Sequence, residues 1–141
     1  MPHRVLLYVE DDDAAFLAMQ FTLREARAQI DLHRAVDGEQ ALAFVRKENS
    51  YENVPRPDLI LLDLNLPKKS GMEVLAEIKS DEALRSIPVI MFSSSRRPLD
   101  ANRSLELGAQ EYLTKPSSLE GFVETVKRAF SERTSEGGGN S

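Results

Sequence analysis

Residues 59–62 of this chain are Leu-Ile-Leu-Leu, four consecutive apolar side chains without alternation, and the run stops at Asp63. A strand with no polar face is covered on both sides, the condition of a central strand in a parallel sheet. Asp63 therefore stands where the strand leaves the sheet, and open α/β sheets bind ligands at the carboxyl ends of their strands. Pro67 bars further pairing, and Ser70-Gly-Met-Glu73 has the spacing of a capping box that opens a helix to about residue 80. In isolation Asp63 reads equally well as a turn residue or helix cap. The rest of the chain shifts that balance.

The same unit recurs along the sequence. Residues 4–9 form a short apolar strand, and Glu10-Asp11-Asp12-Asp13 follows it. Asp12 or Asp13 caps a helix predicted over residues 14–28, in which Phe16, Met19 and Leu23 recur at helical spacing. A second strand is expected at residues 30–36. Asp37-Gly-Glu-Gln40, again with capping-box spacing, opens a helix to about Lys47, and the polar, proline-containing residues 48–57 read as a loop. Pro88 introduces another unbroken apolar run, Val89-Ile-Met-Phe92, which ends at Ser93-Ser94-Ser95. A more polar helix over residues 99–107 stops at Gly108, a natural left-handed terminus. A last short strand at residues 111–114 leads to Lys115-Pro116. Ser117-Ser-Leu-Glu120 opens a final helix with Leu119, Phe122, Val123, Val126 and Phe130 as its inner stripe.

Five β-α units in strict alternation specify an α/β fold, a doubly wound five-stranded parallel sheet with five helices. The folded unit is expected to occupy residues 1–130. Residues 131–141 carry no large apolar side chain and are expected to be a disordered polar tail. A net charge of −5 with no clustered basic face argues against nucleic acid as a partner. The absence of cysteine removes disulfides, thiolate nucleophiles and zinc-thiolate sites. The first apolar run is far too short for a signal peptide or membrane span, so a cytoplasmic protein without membrane contact is expected.

Four strand ends carry polar residues: Glu10 and Asp11 after the first, Asp63 after the third, Ser93 after the fourth and Lys115 after the fifth. In a parallel sheet these lie on one edge and can converge on one site. Three crowded carboxylates repel one another, and hard oxygen ligands without His or Cys favour Mg²⁺, which also accepts phosphoryl oxygens. Lys115 supplies a positive charge and Ser93 a hydroxyl donor for those oxygens, and Asp63 is then the nucleophile that forms an aspartyl phosphate. Each residue alone has a commoner structural use: helix-start acids, a turn or cap aspartate, a solvated lysine. The set together is specific. His3 and His33 have no partner spacing for a metal.

With these residues the chain resembles a two-component response-regulator receiver domain over residues 4–130. The resemblance implies a flavodoxin-like strand order 2-1-3-4-5, with Glu10 and Asp11 positioning Mg²⁺ and Asp63 as the phosphoacceptor. It further implies that the Asn65 backbone carbonyl ligates the metal, that Ser93 is the switch hydroxyl and Tyr112 the switch aromatic, and that Lys115 contacts the phosphoryl group. Its implied partner is a sensor histidine kinase. The implied readout is a surface of the fourth helix, fifth strand and fifth helix, used for partner binding or homodimerisation. Such a protein is not a conventional enzyme, since it catalyses only its own phosphorylation and dephosphorylation. Position 10 is Glu where Asp is commonest, position 66 is Leu where Met is frequent, and three serines follow the fourth strand. Residues 64–69, the long loop before the third strand and the expected lack of an output domain are similar to stand-alone regulators served by phytochrome-type kinases.

Two rivals share parts of this pattern. A haloacid-dehalogenase-type phosphatase also uses an aspartyl phosphate and Mg²⁺, but with its nucleophile after the first strand and a second Asp two residues on; here position 65 is Asn. A flavodoxin-like cofactor binder needs a first loop that cradles phosphate, which Glu10-Asp11-Asp12-Asp13 would repel.

Overall fold

The computed structural model describes residues 4–115 and residues 124, 127 and 128. The stripe of the final helix, Pro116 and the tail at 131–141 lie outside the described residues. Strands β1 (Arg4–Val9), β2 (Ile30–Ala35), β3 (Leu59–Leu62), β4 (Val89–Ser93) and β5 (Glu111–Thr114) form one parallel sheet in the order β2-β1-β3-β4-β5. Helices α1 (Asp13–Glu25), α2 (Gly38–Arg46), α3 (Gly71–Ser80) and α4 (Pro98–Glu106) connect them. Among the described residues no helix is long and apolar enough to cross a membrane.

The unbroken apolar strands are buried on both faces, as their composition requires. Leu7, Val9, Ile60, Leu62, Val89 and Met91 point into a core shared with α2 and α3. Their alternating neighbours Leu6, Tyr8, Leu59, Leu61, Ile90 and Phe92 pack with Met19 and Leu23 of α1 on the other face. The register Val9↔Leu62 and Leu62↔Met91 then brings the first residues beyond β1 and β3 to the same edge as the end of β4.

Caps follow the sequence signals in most places. Ser70 and Glu73 form a complete capping box, and Asp12 accepts from the Ala14 amide at the start of α1. At α2 the Asp37 side chain accepts from Gln40 N–H, but the Gln40 side chain reaches back to Val36 rather than to Asp37, so the box is only half formed. Helix α1 ends at Glu25, three residues before its expected end, because Arg27 turns into the left-handed region (φ 54°). Pro98 occupies the first turn of α4, where its missing N–H costs nothing. Gly108 takes φ +110° after α4, a conformation that side chains resist.

Candidate functional site

The four consecutive acids after β1 are sorted by their partners. Asp12 is spent on the α1 cap. Asp13 pairs with Arg34 of β2 at 2.8 Å. Glu10 is buried, with its Oε1 accepting from Lys115 Nζ at 2.5 Å and from the Tyr8 hydroxyl at 3.1 Å, and its Oε2 accepting from Asp12 N–H at 3.3 Å. Asp11 is left exposed at the mouth of the site. One carboxylate oxygen each from Glu10, Asp11 and Asp63 lie within 4.8 Å of one another. Such a set of hard oxygens suits a divalent cation, and it fits the Mg²⁺ expected from the sequence.

Asp63 lies at the centre of this edge. Its amide bonds the Val9 carbonyl in continuation of the β1-β3 ladder, its Oδ1 accepts from Asn65 N–H at 3.3 Å, and its Oδ2 faces Lys115 Nζ at 3.2 Å. The backbone here is closely packed against the start of α3. A Cβ at Gly71 would lie 2.2 Å from the Asp63 carbonyl oxygen, so only glycine allows this approach. Asn65 is exposed in the loop after Asp63, beside the carboxylate it bonds.

Lys115 is fixed by its backbone, whose N–H donates to the Ser93 carbonyl at 2.7 Å. Burial alone would lower the pKa of its ammonium. The hydrogen bond to Glu10 and the charges of Asp63 and Glu10 outweigh burial and raise it, so the lysine is a cation at neutral pH. The Lys115 ammonium also lies 5.8 Å from the Phe92 ring centroid. One cation thus spans two carboxylates that would otherwise repel.

Ser93 is fully buried at the end of β4, and its Oγ accepts from Ser95 N–H at 3.2 Å. Tyr112 is half-buried in β5, and its hydroxyl donates to the Ser95 carbonyl at 2.9 Å. Ser95 Oγ in turn donates to Asp100 Oδ2 at 2.6 Å, and Arg97 holds both oxygens of the same carboxylate. Those bonds from Arg97 and Ser95 keep the Asp100 pKa below its ordinary value. The residues expected at the switch, Ser93 and Tyr112, are thus joined through Ser95, which the sequence pattern did not single out. As the last of three consecutive serines it carries no signal that sets it apart from Ser94. Tyr8 and Arg34 also reach the site, through bonds to Glu10, and nothing in their strand segments marks either for that role.

A family model for the response regulator receiver domain matches residues 6–127. The chain belongs to that family. This receiver is 44% identical over 126 residues to response regulator Rcp1 of Synechocystis, spanning 89% of this chain and 86% of that one. The structure of Mn²⁺-bound Rcp1 superposes with a TM-score of 0.78 at 44% identity, covering 87% of this chain and 88% of the other. The phosphorylated cyanobacterial phytochrome response regulator RcpA superposes with a TM-score of 0.81 at 42% identity, covering 90% and 91%. The likeness to phytochrome-associated regulators, drawn in the sequence from the loops around the third strand, is thereby supported over nearly the whole receiver.

Proposed function

We propose that this receiver accepts a phosphoryl group on Asp63 from a sensor histidine kinase, in a Mg²⁺-dependent reaction in the cytoplasm. The observation that carries the reading is Lys115 held against both Glu10 and Asp63, with Asp11 open beside them. Glu10, Asp11, Asp63 and the Asn65 carbonyl are the groups that would hold the metal. When bound, the metal supplies charge neutralisation for the attacking carboxylate and the transferring phosphoryl oxygens.

In the transfer an Asp63 carboxylate oxygen attacks phosphorus, the new P–O bond forms as the P–N bond to the kinase histidine breaks, and the imidazole leaves with the electron pair. Lys115 exchanges part of its contact with the acids for the incoming phosphoryl oxygens. Ser93, one strand away, donates its hydroxyl to the new dianion. Because the Ser93 oxygen also holds the Ser95 amide, its inward movement displaces the acceptor of the Tyr112 hydroxyl. The shift reaches the face of α4 and β5 that the fifth helix expected from the sequence would complete, where Leu99 and Leu105 of α4 are exposed apolar residues. That face binds a downstream partner or a second copy. Differential contacts to Ser93 and Lys115 supply the bias between the two states.

The phytochrome regulators among the receiver's relatives support a phytochrome-type kinase as the donor. Incubation with acetyl phosphate, with and without Mg²⁺, followed by intact mass measurement tests the chemistry. One added phosphoryl group only in the presence of Mg²⁺ is expected; metal-independent labelling would contradict it.

A further inference from the structure

Tyr8 is a phenol among the buried aliphatic residues Leu6, Leu7 and Val9 of β1, and only 2% of it is exposed. Phenylalanine would fill the same space. Its ring stacks on Phe16 of α1 at 6.4 Å and tilts against Phe92 of β4 at 6.3 Å, contacts that do not need a hydroxyl. A buried hydroxyl costs free energy unless it is hydrogen-bonded, and this one donates to Glu10 Oε1 two residues along the same strand face.

Directly across the β1-β2 ladder, Tyr8 is paired with Arg34. The Arg34 Nε donates to the Glu10 carbonyl at 3.1 Å, its guanidinium pairs with Asp13, and it lies 5.0 Å over the Phe16 ring. One cross-strand pair therefore holds Glu10 twice, by side chain from Tyr8 and by backbone from Arg34. Phe16 lies against both. Glutamate has one more rotatable bond than aspartate, so its carboxylate loses more freedom when it must serve a metal site. Groups that fix a ligand beforehand remove that cost.

We propose that Tyr8 and Arg34 are positioning residues of the divalent-metal site, orienting Glu10 without themselves touching the ion. The inference rests on the reading of Glu10, Asp11 and Asp63 as that site. Its test is direct Mg²⁺ titration by calorimetry, with Mn²⁺ titration by electron paramagnetic resonance as a second probe. Tyr8→Phe keeps the ring and its packing, and circular dichroism checks the fold. It is expected to weaken Mg²⁺ binding roughly 10-fold, the low end for loss of an outer hydrogen-bond partner of a metal ligand. Phosphorylation by acetyl phosphate should then return to the wild-type rate at saturating Mg²⁺. Arg34→Lys, which keeps the charge but loses the fork, should weaken binding in the same direction. In a Glu10→Ala background Tyr8→Phe should have no further effect, since no carboxylate remains to be positioned. Unchanged Mg²⁺ affinity in Tyr8→Phe, or an equal loss with and without Glu10, would overturn the inference. Failure of the wild type to bind Mg²⁺ would instead overturn the underlying reading of the site.

Discussion

Lys115 Nζ lies 2.5 Å from Glu10 Oε1 and 3.2 Å from Asp63 Oδ2, so a residue at the end of the fifth strand neutralises acids from the first and third. The ion pair is part of the site and also a competitor for any cation that enters it. Lys115→Ala should therefore lower the melting temperature without metal, because buried Glu10 and Asp63 lose their counter-charge. The same variant should bind Mg²⁺ severalfold more tightly than the wild type. Thermal denaturation across a Mg²⁺ series checks both, and a larger metal-induced rise in melting temperature is expected in the variant.

The same contacts set a pH window. The Lys115 pKa is raised above its ordinary value of 10.5 in the folded state. Its contribution to stability is then fully present below that ordinary value and is lost as pH rises through the higher folded value. Denaturant unfolding of wild type and Lys115→Ala should show a constant difference from pH 6 to 9, and the difference should shrink in strong alkali.

Asp11 is the exposed acid of the cluster and takes no part in the α1 cap or the Arg34 pair. Asp11→Ala is expected to cut Mg²⁺ affinity at least 10-fold, by calorimetric titration, while the fold is retained or slightly stabilised by relief of repulsion.

Ser95 connects the Ser93 hydroxyl, the Tyr112 hydroxyl and the Asp100 carboxylate. Ser95→Ala removes the hydroxyl's bonds to the Asp100 carboxylate and from the Arg97 N–H at the start of α4 but keeps the backbone contacts to Ser93 and Tyr112, so it should leave phosphorylation intact but weaken the link to α4. Hydrogen exchange with and without beryllofluoride reads this directly. Protection changes across residues 98–106 are expected in the wild type and should be reduced in the variant.

Gly71 is required by the approach of α3 to β3. A methyl group there meets backbone atoms of Asp63 and Leu64 at 2.2 and 2.8 Å, which cannot rotate away. Gly71→Ala should cost about 1–3 kcal/mol of unfolding free energy in urea and should slow phosphorylation by displacing Asp63.

Much of this architecture was legible in the sequence because its signals are redundant. The runs ending at Val9, Leu62 and Phe92 are too apolar to expose a face, and each stops at a polar residue on the same edge. What the sequence withheld was the division of labour among neighbouring groups of one chemical type. The pattern of Glu10-Asp11-Asp12-Asp13 narrows the α1 cap to Asp12 or Asp13 but does not say which of the two caps and which meets Arg34, or that Glu10 is the one Lys115 holds, since that depends on partners from β2 and the end of β5. The end of α1 was missed because Arg27 enters the left-handed region without a glycine to mark it. Tyr8 was read as core because its ring is core; only its hydroxyl oxygen belongs to the site.

Asp63, and no other acid of the cluster, is expected to carry the phosphoryl group. Borohydride reduces an acyl phosphate to the alcohol, so the chain phosphorylated with acetyl phosphate and Mg²⁺ can be reduced, digested and sequenced by mass spectrometry. Homoserine at position 63, absent without Mg²⁺ and absent in Asp63→Asn, is the expected result. A reduced side chain at Glu10 or Asp11 in place of position 63 would contradict the account.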